Sequence, residues 1–311
     1  MIVFFGTSSR SAKFLEKAIQ NGLKVDLVVS APPKPLGKKQ ILTENPTVSV
    51  AKKFNIPFLT SIFQLQDPRL QTPGASATGG QAASNFHLQS STTVTVTGLI
   101  LDFNKIIPND IINLFSKGII NIHFSKLPQY RGPAPVQYTI LNGEREAWIT
   151  YYLLDENLDT GKIITQSNLP LDFTETTETL YQKLIAKAAS EIPKIIEDYL
   201  CDRYHTCQQT GQTTYTKKLT TKDCQIDWTK SAEEIERLIR AASPEPGAWT
   251  LVQISLKSAK IPITRRLKIL KAHLENGKLM LDLVQLEGKK PVSFKQFQEG
   301  YPNCKIEGYN K

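Results

Sequence analysis

Three side chains of different chemistry sit at short spacing in the middle of the chain: the amide of Asn121, the imidazole of His123 and, past a turn-rich stretch, the carboxylate of Asp159. An amide can donate to a developing oxyanion, an imidazole titrates near neutrality and can carry a proton, and a carboxylate can orient it or accept a proton. Together they suit acyl transfer. Asn121 and His123 lie on an apolar run, Gly118-Ile-Ile-Asn-Ile-His-Phe124, that reads as a buried strand. Residues i and i+2 of a strand share a face. The two therefore point into the same space, and Ser125 continues that face at the strand end, where sites of open α/β sheets form. A plainer reading stays open, because a strand histidine often serves packing and Leu158-Asp-Thr-Gly161 alone is an ordinary turn.

The surrounding pattern is that of an α/β domain. A strand at 2–5, apolar residues Phe14, Leu15, Ala18 and Ile19 at helical spacing before Gly22, and a strand at 25–29 make a βαβ unit, with a right-handed crossover over a parallel sheet. Gly6-Thr7 at its first turn is not Gly-x-Gly-x-x-Gly and gives no support for a dinucleotide. Residues 31–43 hold three prolines, a glycine and three lysines, break both periodicities and read as a loop. Residues 72–84, rich in Gly, Ser, Thr and Ala, cannot bury a helical face and read as flexible. A strand is expected at 93–101 and a helix at 177–200, where Leu180, Leu184, Ala188, Ile192, Ile195 and Ile196 repeat at helical spacing. Residues 201–214 read as a linker, followed by strand-like runs at 249–255, 267–272 and 279–286.

A chain of 311 residues exceeds the roughly 100–200 of one domain, so two are expected. Its net charge of +9 is uneven: residues 211–311 carry 18 basic and 11 acidic side chains, a balance of +7, against 20 and 18 in the rest, a balance of +2. A basic domain suits a polyanion such as nucleic acid, though a soluble surface also explains it. No run approaches the roughly 18 apolar residues of a membrane span, and residues 1–6 are too short for a signal peptide, so the cytoplasm is the expected compartment. Cys201, Cys207, Cys224 and Cys304 form no Cys-x-x-Cys pair, and Cys201-x3-His205-x-Cys207 fits no standard zinc spacing. Unpaired, reduced thiols are expected.

The run from Asn121 to Pro135, Asn-Ile-His-Phe-Ser-Lys-Leu-Pro-Gln-Tyr-Arg-Gly-Pro-Ala-Pro, with Leu158-Asp-Thr-Gly161, resembles the signature of the folate-dependent formyltransferases. That signature reads Asn-x-His-x-Ser-Leu-Leu-Pro-x-Tyr/Trp-Arg-Gly-x-x-Pro and ends in Leu-Asp-Thr-Gly. The resemblance covers nearly the whole chain. Tyr215-Thr-Lys-Lys-Leu219, Ile226-Asp-Trp228 and Pro244-Glu-Pro-Gly-Ala-Trp249 are similar to the start of the tRNA-binding domain of the family's methionyl-tRNA members, and Val284-Gln-Leu-Glu-Gly-Lys-Lys290-Pro-Val-Ser-Phe294 to its end.

The resemblance implies an α/β fold: a Rossmann-like parallel-sheet formyltransferase domain at 1–200, a linker at 201–214 and a small OB-like β-barrel domain that binds tRNA at 215–311. It implies N10-formyltetrahydrofolate as cosubstrate and methionyl initiator tRNA as partner, with no metal, no membrane and no protein partner. Asn121, His123 and Asp159 would be catalytic, with Ser125 in support. Leu101, Asp102, Phe103 and Asn104, in a segment like the family's folate-cradling loop, would bind the cosubstrate with Ser125, Leu127, Pro128 and Asp155; Lys34, Lys38, Lys39 and Arg131 would meet tRNA. Departures are an asparagine at 104 where the family has glycine, a lysine at 126 where it has leucine, and the 72–84 segment where relatives have a helix. Asparagine tolerates a left-handed backbone, so the turn at 104 can survive. Two other readings stay open: an amino-sugar acceptor, and an RNA-binding relative without catalysis.

Overall fold

The computed structural model describes residues 1–37, 40–67, 95–255 and 262–309. Lys38, Lys39 and the 72–84 segment lie outside the described residues. The chain forms two compact units, Met1–Arg131 with Trp148–Asn168 and Lys183–Thr213, and Gly132–Ala147 with Leu169–Gln182 and Thr214–Lys311.

In the first unit, Ser8 caps the helix Ser9–Gln20 by accepting from the amides of Arg10 and Ser11, and Phe14, Leu15 and Ala18 are buried on its inner face. The helix stops where Gly22 takes a φ of 98°, a left-handed conformation that glycine adopts freely. It joins β1 (Ile2–Phe5) to β2 (Leu27–Val29), which pair in parallel as the predicted βαβ unit. The second strand begins two residues later than predicted because the carboxylate of Asp26, rather than a ladder carbonyl, accepts from the Ile2 amide at 2.6 Å.

The loop expected over 31–43 is corrected by the structure. β3 (Lys34–Leu36) and β4 (Ile41–Thr43) form an antiparallel ribbon, with Pro35 opposite Leu42. Proline excludes a central strand, but a two-stranded ribbon consists of edges only, so its missing N–H is tolerated. Gly37 at φ 71° and Gln40 at φ 50° flank the turn.

β5 (Phe58–Leu59), β6 (Thr97–Ile100), β7 (Ile119–His123), β8 (Glu146–Leu153) and β9 (Ile163–Pro170) complete a seven-stranded sheet of order β5-β2-β1-β6-β7-β8-β9. The pairs from β5 through β7 are parallel, and β8 runs antiparallel to β7. This is the expected Rossmann-like sheet. Strand β6 occupies 97–100 of the predicted 93–101, and residues 93–94 lie outside the described ones. Val3, Phe5, Leu27, Val29, Ile100 and Ile119 form one core cluster on it. The helix Thr177–Leu200 spans the residues predicted, with Leu180, Leu184, Ala188 and Ile192 fully buried.

The second unit carries β10 (Ala248–Ile254), β11 (Ile263–Glu275), β12 (Lys278–Leu286), β13 (Val292–Ser293) and β14 (Lys305–Ile306), in the order β13-β12-β11-β10-β14. It is the expected small C-terminal β domain, an antiparallel sheet whose core includes Val252, Leu267, Ile269, Val284 and Phe297. β11 extends well beyond the predicted 267–272 because pairing with β12 continues to the turn Asn276-Gly277, both residues at positive φ, a two-residue hairpin connection. A capping box of Ser231 and Glu234 starts the helix Ala232–Ala241, which buries Ile235 and Ile239. Among the described residues no helix is long and apolar enough to cross a membrane.

Candidate active site

Strand register assembles the site. β7 and β8 pair so that Asn121 stands opposite Tyr152 and His123 opposite Thr150, and cross-strand partners share a face. Asn121 Nδ2 donates to Tyr152 Oη at 2.7 Å, and Tyr152 Oη donates to Asp159 Oδ1 at 2.7 Å. Burial foremost, and the nearby Asp159 carboxylate, push the Tyr152 phenol well above its ordinary range, so it stays a donor. Asp159 is 7% exposed and holds a left-handed φ of 54°.

His123, also 7% exposed, has Nε2 3.0 Å from the Tyr130 carbonyl and Nδ1 3.8 Å from Asp159 Oδ2. A carbonyl only accepts, so Nε2 carries the hydrogen and Nδ1 of the neutral ring presents its lone pair towards the carboxylate. At 3.8 Å this is not a hydrogen bond. The two groups attract when the ring is protonated or when a water bridges them. Nδ1 is thus the atom positioned to take up a proton, beside the charge that stabilises the result.

A second layer of bonds fixes the turns that carry these groups. Ser125, 1% exposed, donates to the Gln129 carbonyl at 2.6 Å. Thr150 Oγ1 donates to the Ser125 carbonyl at 2.6 Å and accepts from the Leu127 amide at 3.2 Å. Gln166 Nε2 donates both to Thr150 Oγ1 and to the Leu127 carbonyl, which pins the Ser125–Pro128 turn. Gln209 Nε2 donates to the carbonyls of Asp159 and Gly161, each at 2.9 Å, while its Oε1 accepts from Arg131 Nη2 at 2.7 Å. Asp155 Oδ1 accepts from Thr160 Oγ1 at 2.6 Å and from the Asn157 amide at 3.2 Å, bracing the loop that delivers Asp159.

The segment expected to cradle folate begins beside Asn121, because Ile100 and Asn121 are partners in the β6–β7 register. Leu101 is buried, and Phe103 meets Phe5 edge-on at 5.6 Å. The left-handed residue of this turn is Asp102, at φ 54°, and not Asn104. The reason is local bonding. The Asp102 carbonyl accepts from Ser11 Oγ at 3.0 Å, its Oδ2 from Ser8 Oγ at 2.6 Å, and the Asn104 amide donates to Thr7 Oγ1 at 3.0 Å. The turn is therefore anchored to the first βα connection at residue 102. Lys126 Nζ lies 4.2 Å from the centre of the Trp148 ring, a cation–π contact at the surface. Lys34 is exposed on β3, and Lys38 and Lys39 are not among the described residues.

The structure thus joins Asn121, His123 and Asp159 and adds four side chains that sequence reasoning missed: Thr150, Tyr152, Gln166 and Gln209. Thr150 and Tyr152 alternate on β8 as Asn121 and His123 do on β7, a signal usable only once the strands are paired in register. Gln209 lies 50 residues from Asp159 with nothing local to mark it. The four cysteines are unpaired, and among the described residues no group of three or more His, Cys, Asp or Glu side chains could hold a metal ion.

The formyl transferase family model matches residues 1–196, and that of the formyl transferase C-terminal domain matches residues 218–302. A methionyl-tRNA formyltransferase of Thermodesulfovibrio yellowstonii is 31% identical over 312 aligned positions, covering 96% of this chain and 95% of the relative. One of Agathobacter rectalis is 31% identical, covering 98% and 97%. Among solved structures, a sugar 3N-formyl transferase with dTDP and 5-N-formyl-THF matches with a TM-score of 0.59 at 22% identity, over 93% of this chain and 98% of that one. That likeness is one of fold.

Proposed function

The chain belongs to the formyl transferase family, and on that premise we propose that it transfers the formyl group of N10-formyltetrahydrofolate to the α-amine of methionine esterified to initiator tRNA, the modification used in translation initiation. The observation that carries this reading is similarity to methionyl-tRNA formyltransferases over 96% of the chain, the C-terminal domain included.

The chemistry follows from the atoms at the site. The amine nitrogen attacks the formyl carbon, a tetrahedral oxyanion forms, the bond from that carbon to folate N10 breaks, and a proton passes from the amine to N10. One Nδ2 hydrogen of Asn121 is held by Tyr152 and the other donates to the oxyanion. Removing a single such donor elsewhere costs roughly 2.7–4 kcal/mol. His123 Nδ1 relays the proton, and Asp159 faces the resulting imidazolium. The attacking amine is itself the nucleophile, so no acyl-enzyme is formed.

The cosubstrate is placed against Leu101, Asp102, Phe103, Asn104, Ser125, Leu127, Pro128 and Asp155. The fit rests on the turn at 101–104, anchored by Thr7, Ser8 and Ser11 next to the strand that bears Asn121. Lys34, Lys38, Lys39 and Arg131 are assigned to tRNA phosphates. The catalytic domain is taken as 1–200 and the tRNA-binding domain, OB-like, as 215–311, with the cytoplasm as compartment.

The test is formyl transfer from N10-formyltetrahydrofolate to purified methionyl initiator tRNA, with uncharged tRNA and an amino-sugar nucleotide as controls. Formylmethionyl-tRNA is the expected product. Formylation of the amino sugar alone would move the assignment to the sugar acceptor, and tRNA binding without transfer would make the chain a non-catalytic RNA binder.

A further inference from the structure

We propose that Tyr152 is a positioning residue of the formyl-transfer site: its hydroxyl fixes which end of the Asn121 amide faces the reacting carbon and ties that amide to Asp159. The inference rests on the functional reading above and adds a residue to it.

The argument is one of donors and acceptors. A carboxylate only accepts, so the single hydrogen of Tyr152 Oη goes to Asp159 Oδ1, 2.7 Å away. The phenolic oxygen then has only lone pairs to offer Asn121. Asn121 must present Nδ2 and not Oδ1, as the 2.7 Å contact requires. Tyr152 is fully buried, so bulk water does not touch its hydroxyl to compete for either bond. With one amide hydrogen captured, the planar group has no freedom to turn over, and its second hydrogen points in a fixed direction. The chain is polar throughout, from amide to phenol to carboxylate.

Remove the hydroxyl and the constraint disappears. The two orientations of the Asn121 amide become comparable in energy, and in the turned one Oδ1 faces a developing oxyanion that it repels. Asp159 simultaneously loses a donor. Tyr152→Phe keeps the ring that packs in the core, so the change is confined to these bonds.

Wild type and Tyr152→Phe should be compared in the formyl-transfer assay with both substrates varied. The expected result is a kcat lower by about 10- to 100-fold, below the 10²–10³ cost of losing an oxyanion donor outright, with both KM values within about twofold. In an Asn121→Ala background the same substitution should cost several-fold less than in wild type, because the amide through which it chiefly acts is gone and only the donor lost by Asp159 remains. Full kcat in Tyr152→Phe, or losses that multiply in the double variant, would overturn the proposal. A readout independent of activity is hydrogen exchange of the ¹⁵N-labelled Asn121 side-chain amide. Slow exchange in wild type that speeds at least tenfold in Tyr152→Phe supports the chain of bonds, and equal exchange in both refutes it. Should wild type make no formylmethionyl-tRNA, the functional reading falls, and the exchange measurement still decides the role of Tyr152.

Discussion

Adding one methyl group at Gly161 should displace the turn that carries Asp159. A Cβ built there would lie 1.6 Å from the Leu153 carbonyl oxygen, 2.9 Å from its carbon and 3.1 Å from Tyr152 Cδ2. Contacts under 3.0 Å are essentially never seen for real Cβ atoms, so the loop must withdraw by more than an ångström. The obstacle is the backbone of β8, which cannot rotate aside as a side chain would. Overpacking costs about 1–3 kcal/mol where neighbours can yield, and a backbone collision belongs at or above the top of that range. At roughly 2–4 °C per kcal/mol for units of this size, a 3 kcal/mol loss lowers the melting point of the site-bearing unit by about 6–12 °C. Activity should fall further than stability, because the Asp159 and Gly161 carbonyls share the Gln209 amide and move together. A displacement near 1 Å can cost about 10²-fold in rate. The assay pairs thermal melting followed by circular dichroism with formyl transfer. Gly300→Ala is the control: a Cβ there meets nothing within 4 Å and should leave both readouts unchanged. A Gly161→Ala protein with wild-type melting and turnover would refute the steric argument.

Asn121→Ala, His123→Ala and Asp159→Ala should each remove most turnover with tRNA affinity retained, by about 10²–10³ for the amide; normal turnover in any one excludes that residue from the chemistry. Gln209→Glu replaces a donor with an acceptor against the carbonyls of Asp159 and Gly161, so kcat should drop about tenfold or more; wild-type kcat would show that the turn holds without it. Burial pushes the Cys224 thiol up to about 11, so at pH 8 it is almost wholly protonated. Brief alkylation at that pH should label the exposed Cys201 and Cys207 and spare Cys224, and labelling of Cys224 in folded protein would contradict this. Replacing Lys34, Lys38 and Lys39 together should weaken tRNA binding and reduce its salt slope by about one for each phosphate no longer neutralised; an unchanged slope would return this segment to ordinary surface.

Much of the fold is legible where local patterns agree with it. Phe14, Leu15 and Ala18 repeat at helical spacing and end at Gly22, and that helix buries those residues and stops at that glycine. The ribbon at 34–43 escapes such reading because proline breaks a central strand but not an edge, and nothing local says which of the two a segment will be. At 101–104 the difference is one of two residues, since the position of the left-handed backbone depends on Thr7, Ser8 and Ser11 from a distant part of the chain.

Strand alternation is a property of the backbone alone, so residue order suffices to place Asn121 and His123 on one face with an acidic turn to follow. Family membership is legible in the same way, through a run of residues whose order needs no coordinates. The remaining site contacts exist only in the folded chain. Tyr152 joins Asn121 to Asp159 because β8 pairs with β7 in one register, and a slip by one residue would turn Tyr152 to the opposite face. Gln209 reaches the Asp159 turn because the stretch Lys183–Thr213, which carries it, belongs to the same unit as Trp148–Asn168. Such contacts depend on where separate segments meet, and spacing along the chain carries no record of that.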